Sequence, residues 1–391
     1  MERNINIMAT TFRFAVLLTS CVFHATALAP NPPDIVVVGA GSAGLTAAKF
    51  SARFGKSVLL VEKAKSGGDC TWTGCVPSKS LIAAAKAAHA ATEGGEQHGV
   101  YTEGPARVSW EDVKARLERV IQRIYDADDS PEALKALNID YVSAAASFVD
   151  SNTMLLQHEE YNETVSAKFG YVVATGARPF VPNIPGLGSA VPFVTYEEIF
   201  SLPKLPSKLT IIGGGPIGCE LAQAFQRLGS EVTLIAPRLL PAEDVDASVV
   251  LERVFKSEGV RLVMDRVASV EASTADASSG ASGHIAFTDS GEEVAGDVLL
   301  LATGREVVVD SLGLDNAGVE YSSKGISIND KLCTTSKKIY AAGDCTGGPQ
   351  FTHIAGEKKS PPTGASSSSI AKPYSPLLPF TMPRLKVFRG P

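Results

Sequence analysis

Twice along this chain, a run of β-branched and aliphatic residues passes straight into three closely spaced glycines and then into a helical pattern. The first unit is Asp34-Ile35-Val36-Val37-Val38 followed by Gly39-Ala40-Gly41-Ser42-Ala43-Gly44. Helical spacing continues to Phe54, and a second strand follows from Ser57 to Glu62. The second unit is Leu209-Thr210-Ile211-Ile212, then Gly213-Gly214-Gly215-Pro216-Ile217-Gly218, a helix to Leu228 and a strand from Glu231 to Ile235. Strand, glycine turn, helix and strand in that order make a βαβ crossover, so each unit demands a parallel sheet. In such a turn Gly39 permits the bend, Gly41 lets the backbone approach a pyrophosphate, and Gly44 lets helix and strand pack closely. The positive helix end then faces the phosphates. Gly213, Gly215 and Gly218 repeat these positions. The chain reads as α/β, with two Rossmann-like dinucleotide-binding units.

The tips of the second strands separate the two nucleotides. Glu62 ends the first, where an acid accepts a hydrogen bond from a ribose hydroxyl. The second ends in Ile235-Ala236-Pro237-Arg238, with no carboxylate and a guanidinium nearby. That combination suits a 2′-phosphate and favours NADPH over NADH.

Between the units lies Gly67-Gly68-Asp69-Cys70-Thr71-Trp72-Thr73-Gly74-Cys75-Val76-Pro77-Ser78-Lys79, ahead of an alanine-rich helical segment. Two thiols five positions apart can form one disulfide, and one can act as a nucleophile when the bridge is reduced. The bland alternative is a structural disulfide or two buried thiols. Lys79 would stabilise negative charge on a reduced cofactor and raise a neighbouring thiolate fraction. Cys219, Cys333 and Cys345 read as buried or incidental, and His353 as a packing residue.

Composition is that of a globular chain, with 45% apolar and 20% charged residues. A net charge of -6 gives no basic stripe for nucleic acid. Arg3 and Arg13 stand at the start of a short apolar stretch, Phe14 to Phe23, ahead of Ala27-Leu28-Ala29. Residues 1–29 therefore read as a signal for the secretory pathway, with a plastid or other organelle as the alternative. The stretch is too short to span a bilayer. A helix is expected from Ser109 to Asp126, with Ser109 as N-cap. Proline clusters at Pro179–Pro185 and Pro203–Pro206 bracket a crossing between domains, and Ala272–Gly283 reads as a surface loop between strands. Residues 357–391 carry seven prolines and a four-serine run, and read as a disordered tail.

Together these motifs resemble the pyridine nucleotide-disulfide oxidoreductases, the family of glutathione reductase, dihydrolipoyl dehydrogenase and mercuric reductase. The resemblance runs from about Asp34 to Gly356. The likeness to mercuric reductase-like proteins is carried by Ala341-Ala342-Gly343-Asp344-Cys345-Thr346 with Pro349-Gln350-Phe351, and by the helix ending in Asp126-Ala127-Asp128-Asp129-Ser130. It implies an FAD-binding domain in two parts (34–180 and 306–356), interrupted by an NAD(P)-binding domain (181–305).

Roles follow from the resemblance. Gly39, Gly41, Gly44, Glu62 and Gly68 would hold FAD, Thr175-Gly176 would form a turn beside it, and Asp344 would bind the ribityl chain. Gly213, Gly215, Gly218, Arg238 and Gly304 would hold the nicotinamide nucleotide. Cys70 and Cys75 would form the redox-active disulfide, with Cys75 nearest the flavin and Cys70 attacking the acceptor. Lys79 would lie near the flavin, paired with Glu220. No metal site is expected.

The family also implies a third, dimer-building domain with a His-Glu pair, and residues 357–391 contain neither histidine nor cysteine. The expected enzyme passes a hydride from NAD(P)H through FAD to the disulfide. A small disulfide, a metal ion or a quinone-like compound would then accept the electrons. The alternative is a truncated flavin-binding protein with diaphorase-type activity only.

Overall fold

The computed structural model describes residues 31–92, 99, 107–273, 283–348, 350 and 352. The expected signal segment and tail, His353 and most of the 272–283 loop lie outside the described residues.

The first βαβ unit forms as its pattern requires: strand β1 (Ile35–Val38), helix α1 (Ser42–Arg53) and strand β2 (Val58–Glu62). A further strand, β3 (Ile139–Ser143), extends the sheet past β2. On the other side of β1 lie Gly170–Val173 and then Ile339–Ala341, all parallel. Alternation along β1 assigns its two faces. Val37 packs with Leu45 and Ala48 of α1, whereas Val36 and Val38 pack with Phe148, Met154 and Leu156. With both faces covered, the strand reads as an unbroken apolar run.

The second unit repeats the plan. Its four parallel strands run in the order Arg261–Val263, Glu231–Ile235, Lys208–Ile212, Val298–Leu301. Each unit also carries a three-stranded antiparallel sheet, of which the sequence showed only the strands on either side of the 272–283 loop: Ala145–Phe148 through Asn162–Val165, and Val267–Ser273 through Glu293–Gly296. Most of these strands are short, and their half-exposed residues carry little periodic signal.

Three helices connect the units. Helix α2 (Gly68–Trp72) is a single turn, and α3 (Cys75–Thr92) is a long helix that starts at the second cysteine. Helix α4 (Trp110–Ile124) is capped by Ser109, whose Oγ accepts from Asp112 N at 3.3 Å. The expected helix to Asp126 ends differently: Tyr125–Asp129 widen into a π-helical turn, closed by Ser130 N donating to Tyr125 O at 2.7 Å. Leu81 and Ala85 of α3 and Leu117 of α4 join the core of the Pro216–Leu228 helix. Helix α3 thus carries Cys75 at one end and is fastened to the second unit along its length. No helix among the described residues is long and apolar enough to cross a membrane.

Candidate functional site

A cavity of about 490 Å³ opens at the carboxyl ends of β1 and Gly170–Val173, where the strand order reverses. That is the place where open parallel sheets take ligands, and the size suits a cofactor. Gly39, Gly41, Glu62, Gly68, Thr175, Gly176, Asp344 and Cys70 line it. Two glycines there have different reasons. A Cβ on Gly44 would lie 1.7 Å from Gly39 O, so packing alone demands glycine. A Cβ on Gly41 would meet nothing nearer than Gly68 Cα at 4.0 Å, so the protein leaves that space to something else. The residues fit a dinucleotide whose pyrophosphate sits on the N-terminus of α1.

Glu62 is held at one end of the cavity. Its Oε2 accepts from Ala40 N at 2.7 Å and its Oε1 from Ala64 N at 2.9 Å. Thr175 Oγ1 donates to Val308 O at 2.6 Å and ties the Gly176 turn to the chain returning from the second unit. Asp344 Oδ2 accepts from Arg305 Nη1 at 2.9 Å, and burial pushes its carboxyl above the usual range. Arg305 also binds the Asp69 carboxylate, and its Nε donates to Tyr196 Oη at 3.1 Å. Tyr196 Oη donates to Asp69 Oδ2 at 3.2 Å.

Cys70 on α2 and Cys75 at the head of α3 stand as two half-buried free thiols, near enough for each to shift the other's acidity. That proximity splits their acidities. Cys75 is pulled down to about 5, first by the Cys70 hydrogen bond and then by the Thr352 hydroxyl and the Lys79 charge, against the penalty of burial. Cys70 is pushed up by the same bond and by burial. The positive end of α3 adds to the bias toward a Cys75 thiolate. Thr352 Oγ1 lies 3.4 Å from Cys75 Sγ. One turn along α3, Lys79 Nζ lies 3.4 Å from Glu220 Oε2 on the neighbouring helix. Burial holds the Glu220 carboxyl above its ordinary range despite that cation.

The second glycine turn repeats the first. A Cβ on Gly218 would sit 2.1 Å from Gly213 O, whereas one on Gly215 would meet nothing nearer than Ala302 O at 4.0 Å. Gly304 has φ +116° with open space where a Cβ would stand. Arg238 is half-buried just past Ile235, its Nη2 donating to Glu243 O at 2.8 Å. Cys219 and Cys345 are buried, and burial raises Cys219 to about 12 and Cys345 to about 11. Neither ionises readily. Cys333 is half-buried.

Four residues of this site escaped the sequence reading: Asp69, Tyr196, Arg305 and Thr352. Asp69 and Arg305 adjoin motif residues, Cys70 and Gly304, which is the only local signal they give.

Known proteins place these motifs in context. A family profile described as pyridine nucleotide-disulphide oxidoreductase matches residues 33–358. The dihydrolipoyl dehydrogenase of Bacillus subtilis (strain 168) is 35% identical over 329 residues, covering 82% of this chain and 69% of that protein. A mercuric reductase of Lysinibacillus sphaericus is 34% identical over 334 residues, covering 82% of this chain and 57% of the relative. The HOCl-induced flavoprotein disulfide reductase RclA from Escherichia coli superposes with a TM-score of 0.71 at 27% identity, over 83% of this chain and 69% of that one.

Proposed function

The chain belongs to the pyridine nucleotide-disulphide oxidoreductase family, whose members are flavoprotein enzymes, and we propose that it carries electrons from NADPH through FAD to the Cys70–Cys75 disulfide. Each turnover would move two electrons: NADPH and a proton are consumed, the S–S bond breaks, and two thiols and NADP⁺ result. The observation that carries this reading is the dithiol itself. A thiol biased strongly toward its thiolate sits at the head of α3, with a lysine–glutamate pair one turn behind it.

Bound in the cavity, FAD would supply the two-electron chemistry that links the nicotinamide nucleotide to the disulfide. The chain's own residues set the stage for that transfer. The N-terminus of α1, kept open at Gly41, would hold the pyrophosphate, Glu62 the adenosine ribose and Asp344 the ribityl chain. The family resemblance makes Cys75 the sulfur facing the flavin, and its stabilisation as an anion supports that role. Cys70, which keeps its proton, would be the thiol offered to the acceptor. Lys79 would supply positive charge beside the reduced cofactor, and Glu220 keeps that ammonium in place.

Preference for NADPH is supported by Ala236 standing where a ribose-binding acid would be, and by Arg238 just beyond. The acceptor would be a small disulfide, a metal ion or a quinone-like compound. The chain spans 57% of the mercuric reductase it resembles, so the family's homodimer and any acceptor chemistry are extensions of the same reading.

The test is reduction of the flavin-loaded protein by each nucleotide under anaerobic conditions. NADPH should reduce it at least about tenfold more efficiently than NADH, and Arg238→Ala should narrow that ratio by weakening NADPH alone. Equal use of both, unchanged in the variant, would refute the selectivity. No reduction by either would refute the reading as a whole.

A further inference from the structure

Helix α2 is five residues long, and its N-cap, Gly67, makes no side-chain hydrogen bond. A helix this short has no stability of its own. Three of its side chains are instead tied to three different parts of the molecule. Asp69 binds Arg305 and Tyr196, which arrive from the second unit and its crossing. Thr71 Oγ1 donates to Asp129 Oδ2 at 2.8 Å, and Asp129 Oδ1 lies 3.5 Å from Lys49 Nζ on α1. Trp72 Nε1 donates to Ser66 O at 2.7 Å. The remaining non-glycine side chain is Cys70, which meets Cys75.

Every tether on this helix therefore flanks the thiol, and the anchors themselves are secured. Arg305 is shared between Asp69 and Asp344, with side-chain exposure of 18%. Asp129 is 6% exposed. We propose that Asp69, acting through Arg305, and Thr71, acting through Asp129, are positioning residues for Cys70, holding its thiol within hydrogen-bonding reach of the Cys75 sulfur. This rests on the reading of Cys70 and Cys75 as the working dithiol.

Loss of the mount would leave the Cys75 anion without its chief donor, so Cys75 would hold its proton to higher pH. The sign of that effect separates positioning from simple electrostatics. Asp69 is itself an anion, and removing it without moving Cys70 would ease ionisation of Cys75. The other groups bearing on Cys75 stay unchanged: Lys79 on its own helix, Glu220 on the Pro216–Leu228 helix and the Thr352 hydroxyl. Thr71→Val alters no charge at all.

The experiment follows alkylation of Cys75 by iodoacetamide against pH in the reduced, flavin-loaded full chain, read on the Cys75 peptide by mass spectrometry. Asp69→Ala and Thr71→Val should each slow Cys75 alkylation about fivefold near pH 5, the loss expected of a one-unit rise, and converge with the parent in alkali. In a Cys70→Ala background neither substitution should slow it further. If Asp69→Ala fails to fold, Thr71→Val carries the test. Alkylation that is unchanged or faster in the variants, or equally slowed without Cys70, overturns the mount while leaving the dithiol in place. An ordinary thiol profile for Cys75 in the parent chain overturns the underlying reading and the mount with it.

Discussion

Replacing Gly41 by alanine should separate folding from cofactor binding. Gly41 is the N-cap of α1, with φ -80° and ψ -173°, a backbone conformation open to any residue. The new methyl would meet no atom of the protein nearer than 4.0 Å. A glycine-to-alanine change at a compatible position gains about 0.4–1 kcal/mol from the unfolded chain. Alanine is a poorer N-cap than glycine by up to about 1 kcal/mol, so the two effects nearly cancel. Stability of the flavin-free protein should therefore stay within about 1 kcal/mol of the parent. FAD binding should not survive so well. A methyl on the face that must approach the pyrophosphate displaces one or two charge-assisted hydrogen bonds of about 1.5–3 kcal/mol each. That weakens binding by about tenfold to ten-thousandfold. Gly44→Ala makes the opposite contrast, because its methyl would lie 1.7 Å from Gly39 O and should destabilise the fold by about 3 kcal/mol or more. Denaturant midpoints and quenching of flavin fluorescence measure the two quantities. A Gly41→Ala protein that binds FAD as tightly as the parent would refute the placement of the pyrophosphate on α1.

Two further outcomes follow from the charges at the site. Thr352→Val removes a donor from the Cys75 anion and should raise its titration by about half a unit to one unit, seen in the pH dependence of alkylation. Because folding depresses this thiol from 9.0 to about 5, the stabilisation it lends is complete above the ordinary thiol range and lost as pH falls through 5. The variant should narrow that window from the acid side, and an unmoved profile would show that Thr352 does not serve the thiolate. Lys79→Met leaves the Glu220 carboxylate buried without its cation. With Lys79 40% exposed, the cost should be about 1–2 kcal/mol at neutral pH rather than that of a fully buried pair. The cost should shrink in acid, where Glu220 is protonated, and Glu220→Gln should recover part of it. A loss independent of pH would contradict this electrostatic account.

The sequence made some of this architecture legible and hid the rest for physical reasons. The two βαβ units could be read because everything that specifies them is consecutive: apolar runs, glycine spacing, helix and closing strand. The Ser109 cap was legible on the same ground. Lys79 and Glu220 were paired only through the family resemblance, since the 141 positions between them carry no local signal. Arg305 and Asp69 are separated by 236 positions and Thr352 and Cys75 by 277. Such contacts exist only once both sheets are assembled. The split in acidity between Cys70 and Cys75 also lay beyond the sequence, because it depends on which sulfur heads α3 and which donates to the other.

Cys75 is proposed as the sulfur that faces the flavin as an anion once the disulfide opens. The direct measurement is the visible spectrum of the FAD-loaded protein after anaerobic two-electron reduction by NADPH. A thiolate beside oxidised flavin absorbs at long wavelength, so a broad band should rise in the parent chain on reduction; Cys70→Ser has no disulfide to open and should show the band already in the oxidised protein, before NADPH is added. In Cys75→Ser the band should be absent. A band that survives in Cys75→Ser, or one lost in Cys70→Ser alone, would assign the flavin-facing sulfur to the other cysteine and contradict the account.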